Sequence, residues 1–179
     1  MKKIKILPIT LIAVAALVIS SVAYASPAAS QNFGTQLTGA QEVPRRDTPA
    51  TGSASFQLSS DGTALSYTVK VNNISNVFAS HIHCGAKGVS GPVGATLFTG
   101  PVGGGSFSGT LAAGTITAPD PGNACGWADL AAVVAAINSG NTYVNVHTND
   151  GVAPTNTGPG DFPGGEIRGQ ITQTLGDKK

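Results

Sequence analysis

Leu65, Tyr67, Val69 and Val71 occupy alternate positions, with Ser66, Thr68 and Lys70 between them. That two-residue period is the signature of a strand with one buried face. The same period recurs along most of the chain. Gly52–Leu58 alternates small or apolar residues with polar ones, and Asp61-Gly62 supplies the positive-φ positions of a hairpin turn before the strand at 64–71. Phe33–Leu37 predicts a first strand that continues through Gly39–Val43, with Pro44 as its end. Asn72–Ser75 reads as a turn and Asn76–His83 as the next strand. Val93–Phe98 follows, then two candidates at Ser106–Leu111 and Gly114–Thr117. Thr142–His147 and Gly165–Ile171 are the last strands.

One segment breaks the period. In Trp127–Asn138 the residues Leu130, Val133, Val134 and Ile137 are spaced i, i+3, i+4, i+7, which is one face of an amphipathic helix. Gly140 is a natural stop for it. Many short strands, turn signals between them and a single short helix predict a mainly β fold, an antiparallel β-sandwich.

Composition adds a compartment. Lys2, Lys3 and Lys5 precede the apolar run Ile9–Ile19, and Ala23-Tyr24-Ala25 follows. A charged start, an apolar middle and small residues at the end predict an export signal over residues 1–25, with a short leader over 26–32 and a tail over 174–179. The competing reading is an N-terminal membrane anchor. No cysteine stands at the cleavage site to carry a lipid, and no later run is long and apolar enough to cross a bilayer. The expected location is secreted or periplasmic, with no membrane attachment after cleavage.

The net charge is +1, and the three lysines of the signal contribute to it, so no basic patch remains to bind nucleic acid. Cys84 and Cys125 are the only cysteines. In an oxidising compartment an even count predicts a disulfide, worth about 4 kcal/mol for a loop of this size. A thiolate metal ligand at Cys84 is the alternative. Asn73-Ile74-Ser75 is formally a glycosylation sequon.

The candidate chemistry rests on three histidines. His81 and His83 are two apart on one predicted strand, and His147 ends another. Residues i and i+2 of a strand share a face, about 7 Å apart along it. Phe78, Ser80 and Ile82 are expected inward; Val77, Ala79, His81 and His83 outward. Val144 and Val146 are expected inward; Tyr143, Asn145 and His147 outward. If the two strands are neighbours, three imidazoles meet on the exposed polar side of the sheet. Three nitrogens with an open fourth position suit copper or zinc, and copper binds such a set more tightly. Glu166 and Arg168 share a face of the last strand, opposite Ile167 and Ile171. They are candidates to stand behind the histidines, with Glu166 accepting an imidazole N–H, and Asn145 is a third. The alternative is a solvated face with an ordinary ion pair. Asn149-Asp150-Gly151 with Asp161 is a weak calcium candidate whose spacing does not fit an EF-hand. No nucleophile elbow and no phosphate loop is present.

Several of these stretches, taken in order, carry a family resemblance. Leu37-Thr38-Gly39-Ala40-Gln41-Glu42-Val43-Pro44 resembles the opening of a CHRD domain, the module named after chordin. Ser80–His83 with Gly91-Pro92-Val93, Tyr143–Thr148 and Gly164–Ile171 continue the pattern, over residues 33–173. The resemblance implies an exported domain and says little about activity. A more distant similarity is to copper/zinc superoxide dismutase, which implies a Greek-key β-sandwich with copper outside the sheet. His81, His83 and His147 match three of its copper ligands. With no fourth histidine there is no bridging imidazolate and no matching zinc site. Three functions follow as expectations: binding of one transition metal ion for metal handling or redox protection, a non-catalytic extracellular interaction module, or a mononuclear copper redox enzyme.

Overall fold

The computed structural model describes residues 31–174. The expected export signal, most of the leader and most of the tail lie outside them. The elements are β1 (Asn32–Thr38), β2 (Thr51–Leu58), β3 (Leu65–Ser75), β4 (Val77–Cys84), β5 (Val93–Thr99), β6 (Ser106–Ile116), α1 (Leu130–Asn138), β7 (Thr142–Thr148), β8 (Ile167–Gln170) and β9 (Thr172–Thr174). All strand pairings are antiparallel. The path through the sheet is β5-β4-β7-β8-β1-β2-β3-β6, with β9 beside β1. The fold is mainly β with one helix, as expected. The two layers of the expected sandwich are two parts of a single sheet that curls into a nearly closed barrel. The Tyr67 hydroxyl on β3 donates to the Leu97 carbonyl on β5 at 2.8 Å, a bond between strands that are not ladder neighbours.

One apolar core fills the interior. Phe33, Leu37, Phe56, Leu65, Val69, Ile82, Val144, Val146, Ile167 and Ile171 all belong to it, and α1 adds Leu130, Val133 and Ile137. Burial of large aliphatic and aromatic side chains is the main stabilising term, roughly 1.5–3 kcal/mol for each.

Several element boundaries differ from the sequence pattern, among them the last strand, expected over Gly165–Ile171 and observed as β8 and β9; four others have a local reason. β1 stops at Thr38 because the chain turns into a short 3-10 helix at Gly39–Gln41. The Gly39 carbonyl accepts from both Glu42 N and Arg46 N, so it binds the following loop and not a ladder partner. β3 runs on through Asn72–Ser75, expected to be a turn, because register shifts against β6 let Ile74 stay buried. The two candidates at 106–117 are one strand, β6. Helix α1 begins at Leu130 and not Trp127, because the Asp129 carboxylate caps Ala132 N at 2.9 Å.

Cys84 and Cys125 form a disulfide. It ties the end of β4 to the loop before α1. The bridge leaves no thiolate at Cys84, which sets aside its alternative role as a metal ligand.

Candidate metal centre

β4 and β7 are direct neighbours. His81 lies opposite Asn145, His83 opposite Tyr143 and Ala79 opposite His147. β8 continues the row, with Arg168 opposite Asn145 and Gln170 opposite Tyr143. Ser80, Ile82, Val144 and Val146 are fully buried on the core side of the same strands. The strand period therefore sends all three imidazoles to one outer patch.

Two side chains lie opposite to the expected faces. Val77 was expected with the histidines and Phe78 inward; the structure reverses them. A register shift between Val77 and Ala79 adds a residue at Phe78. Val77 joins the core, and the Phe78 ring centroid lies 6.1 Å from that of His147. A one-residue bulge exchanges the faces on either side of it.

The ring nitrogens converge. His81 Nδ1 lies 3.1 Å from His147 Nε2, and His83 Nε2 lies 3.4 Å from the same atom. The three potential ligand atoms are all within 4.8 Å of one another. Two nitrogens bound to one ion at about 2.0–2.1 Å and a tetrahedral angle sit roughly 3.3 Å apart. The two spacings to His147 Nε2 match those of donors around a shared ion, and the third donor lies within reach of the same point after a small side-chain adjustment.

Hydrogen bonding fixes which nitrogens are free. His83 Nδ1 is 2.9 Å from the Gly91 carbonyl oxygen, and His147 Nδ1 is 2.9 Å from that of Pro163. A carbonyl oxygen only accepts, so both Nδ1 atoms carry the hydrogen. In the neutral rings both Nε2 atoms are bare lone pairs. These two lone pairs face each other; the Nδ1–H tautomer of His81, 3.1 Å from His147 Nε2, meets one of them, and a shared cation meets both.

Burial argues against a further proton on these rings. His83 and His147 are each only 7 % exposed, and His81 is half-buried. Burial, the largest cause, depresses the pKa of His83 and of His147 to about 4, and the charges of neighbouring rings lower them further. Burial also lowers the pKa of His81. The patch was expected to be exposed. Instead every residue of β7 is buried, and segments around Gly91 and Pro163 lie over the rings.

The residues expected behind the histidines lie as follows. Glu166 does not accept from an imidazole. It is 1 % exposed, and its oxygens accept from Thr48 Oγ1, Thr148 Oγ1 and Gly160 N at 2.5, 2.6 and 2.8 Å. The two carbonyls of Gly91 and Pro163 take the place proposed for it. Arg168 reaches the site at one remove. Its guanidinium lies 3.4 Å from the Tyr143 ring centroid, and Tyr143 stacks on His83 at 4.9 Å with planes 10° apart. Arg168 and Glu166 are both buried, so the solvated ion pair is not formed. Asn145 donates weakly to the Gly164 carbonyl at 3.4 Å, and its Oδ1 is buried with no partner.

The calcium candidate does not assemble. Asn149 and Asp150 side chains bind the backbone N–H groups of Gly151 and Val152, two residues on. Asp161 is 2 % exposed and binds Thr157. Among the described residues, the three histidines are the cluster of His, Cys, Asp or Glu able to surround an ion.

Tyr143, Gly91 and Pro163 were not singled out from the sequence. Tyr143 was detectable, because it shares the outward face of β7 with His147. Gly91 and Pro163 act through main-chain oxygens, which no residue type announces.

An antiparallel, barrel-like domain with a three-histidine cluster on one outer patch is the class of protein these features define. The profile of the CHRD domain matches residues 33–171, and the chain belongs to that family. No curated protein and no solved structure matches it.

Proposed function

We propose that this chain is an exported metal-binding domain that holds one transition metal ion on His81, His83 and His147, copper in preference to zinc. The observation that carries this reading is the pair of unprotonated Nε2 atoms of His83 and His147, 3.4 Å apart, with their N–H groups turned away onto carbonyls. Copper is favoured because an all-imidazole donor set follows the stability order of divalent ions, in which copper exceeds zinc. Export is supported by the charged and apolar N-terminal pattern and by the Cys84–Cys125 bridge. Arg168 on β8 packs on Tyr143, which stacks on His83, and Asn145 stands between His81 and Arg168 in the ladder.

The test is titration of tag-free mature protein with copper and with zinc. One ion per chain is expected, with copper bound more tightly. The His81→Ala, His83→Ala, His147→Ala triple variant loses it. Equal copper affinity in the triple variant would sink the assignment. If the wild-type chain takes up neither metal, the interaction-module reading stands in its place.

A second reading has one observation in its favour. His81 is partly exposed while its partners are buried, which leaves it the ring of the cluster nearest to solvent and to a small fourth ligand. That arrangement fits a mononuclear copper redox enzyme. Dismutase and oxidase assays on the copper-loaded chain separate it from plain metal binding.

A further inference from the structure

We propose that Arg168, carried on Tyr143, sets the charge balance of the three-histidine site and biases a bound copper ion towards the cuprous state. The inference rests on the copper reading above. It adds an oxidation-state preference and the residue responsible for it.

Arg168 is 2 % exposed. Its Nη2 donates to the carbonyl oxygens of Val89 and Ala86 at 2.7 and 3.4 Å. The guanidinium carbon sits 3.4 Å from the Tyr143 ring centroid, and that ring stacks on His83 at 4.9 Å. The order from ion to cation is thus His83, Tyr143, Arg168. Tyr143 is held in register by Gly91: the Gly91 N–H donates to its hydroxyl at 3.0 Å, and the hydroxyl lies 3.2 Å from the Gly91 carbonyl. That same carbonyl accepts the His83 Nδ1–H. The stack has little freedom to shift.

The charge on Arg168 is permanent, because a guanidinium does not deprotonate in a protein. Its hydrogen bonds go to neutral carbonyls and not to a carboxylate. The acidic group that faces it is Glu42, which is 7 % exposed and whose Oε1 has no hydrogen-bond partner. Burial raises the Glu42 pKa to about 7, so near neutral pH it offsets the cation only in part. A fixed positive charge in a dry setting opposes a doubly charged ion more than a singly charged one. One unit charge at ~10 Å with an effective dielectric near 20 changes the ratio of the two affinities by about tenfold.

A residue that merely packed would alter the affinities for both oxidation states alike. The measurement is therefore the ratio of Cu(I) to Cu(II) affinity, read by competition titration and by the reduction potential of the copper-loaded chain. In Arg168→Met the ratio is expected to fall by about tenfold and the potential to drop. In Arg168→Lys, which keeps the charge, both stay near wild type. Equal changes in the two affinities of Arg168→Met would overturn the proposal. If that variant does not fold, Glu42→Gln at about pH 8.5 decides, since wild-type Glu42 is then ionised. Loss of the opposing charge should move the ratio towards Cu(I), and an unchanged ratio overturns the proposal. A wild-type chain that binds no copper overturns the copper reading itself, which is a different result.

Discussion

The sheet has two outer faces that obey the same alternation and end in opposite states. On β2 and β3 the outward residues Ser55, Gln57 and Ser66 are exposed, and solvent meets their polar groups. On β7 the outward residues Tyr143, Asn145 and His147 are as buried as the core valines between them. Strand period decides which way a side chain points; it does not decide what lies over it. A polar side chain left in water costs nothing to keep, whereas a buried one needs a partner. Around the histidines the Nδ1 atoms of His83 and His147 have carbonyl partners, while Asn145 Oδ1 and Thr142 Oγ1 on the same strand have none. The contrast separates a solvated face from a covered one that could hold an ion.

Measurements on the two faces test this difference. The largest effect on metal binding is expected on the histidine face. His147→Ala should lower metal affinity by at least about a hundredfold, because it removes the nitrogen common to both close pairs. Isothermal titration reads this, and a loss below about threefold would argue that the ion sits elsewhere. Next, replacing Cys84 and Cys125 by serine should cost about 4 kcal/mol in denaturant unfolding, since the bridge spans a separation of 41 residues.

Glu166→Ala should cost about 3 kcal/mol, as it strands the hydroxyls of Thr48 and Thr148 and the Gly160 N–H. Copper affinity of the folded variant should stay near wild type. A large drop would restore the carboxylate as a partner of the imidazoles.

Acid titration of the metal-free chain gives the next effect. The folded pKa of His83 and of His147, about 4, lies below the ordinary value of 6.5. As pH falls from 6.5 towards 4, the unfolded chain binds protons that the folded chain refuses, and stability declines. Glu42 works the other way. Its folded pKa of about 7 exceeds the ordinary 4.5, so its contribution to stability grows as pH falls through the same window. The net loss is expected at about 2 kcal/mol, and Glu42→Gln should steepen it. Thermal melts between pH 7 and pH 4 check both slopes. The smallest effect belongs to the solvated face: Ser55→Ala should change stability by less than about 0.5 kcal/mol and leave metal affinity unaltered.

Much of the site was legible in the sequence where side-chain pattern and backbone geometry coincide. The alternation in 65–71 and 142–147 located β3 and β7, and the spacing of Leu130, Val133 and Ile137 located α1. His81, His83 and His147 fall on one side because residues 79–84 of β4 pair with 142–147 of β7 without a break. Legibility failed where geometry is set from a distance. The bulge at Phe78 is a property of the pairing between β4 and β7, not of either strand alone. Glu166 was put beside Arg168 by alternation, but β8 begins only at Ile167. Glu166 precedes that strand and turns to the hydroxyls of Thr48 in a loop and of Thr148 at the end of β7. The cover over β7 comes from segments rich in Gly and Pro, whose contributions are carbonyl oxygens.

Those oxygens have an evolutionary consequence. The orientation of two imidazoles depends on main-chain atoms of Gly91 and Pro163, which every amino acid possesses. Relatives that keep this site must also keep glycine at residue 91, where a Cβ would collide with the Cys84 carbonyl, while Pro163 contributes only its main-chain oxygen. Motif searches that look for an acidic neighbour beside each histidine will overlook them, and searches by backbone trace will not.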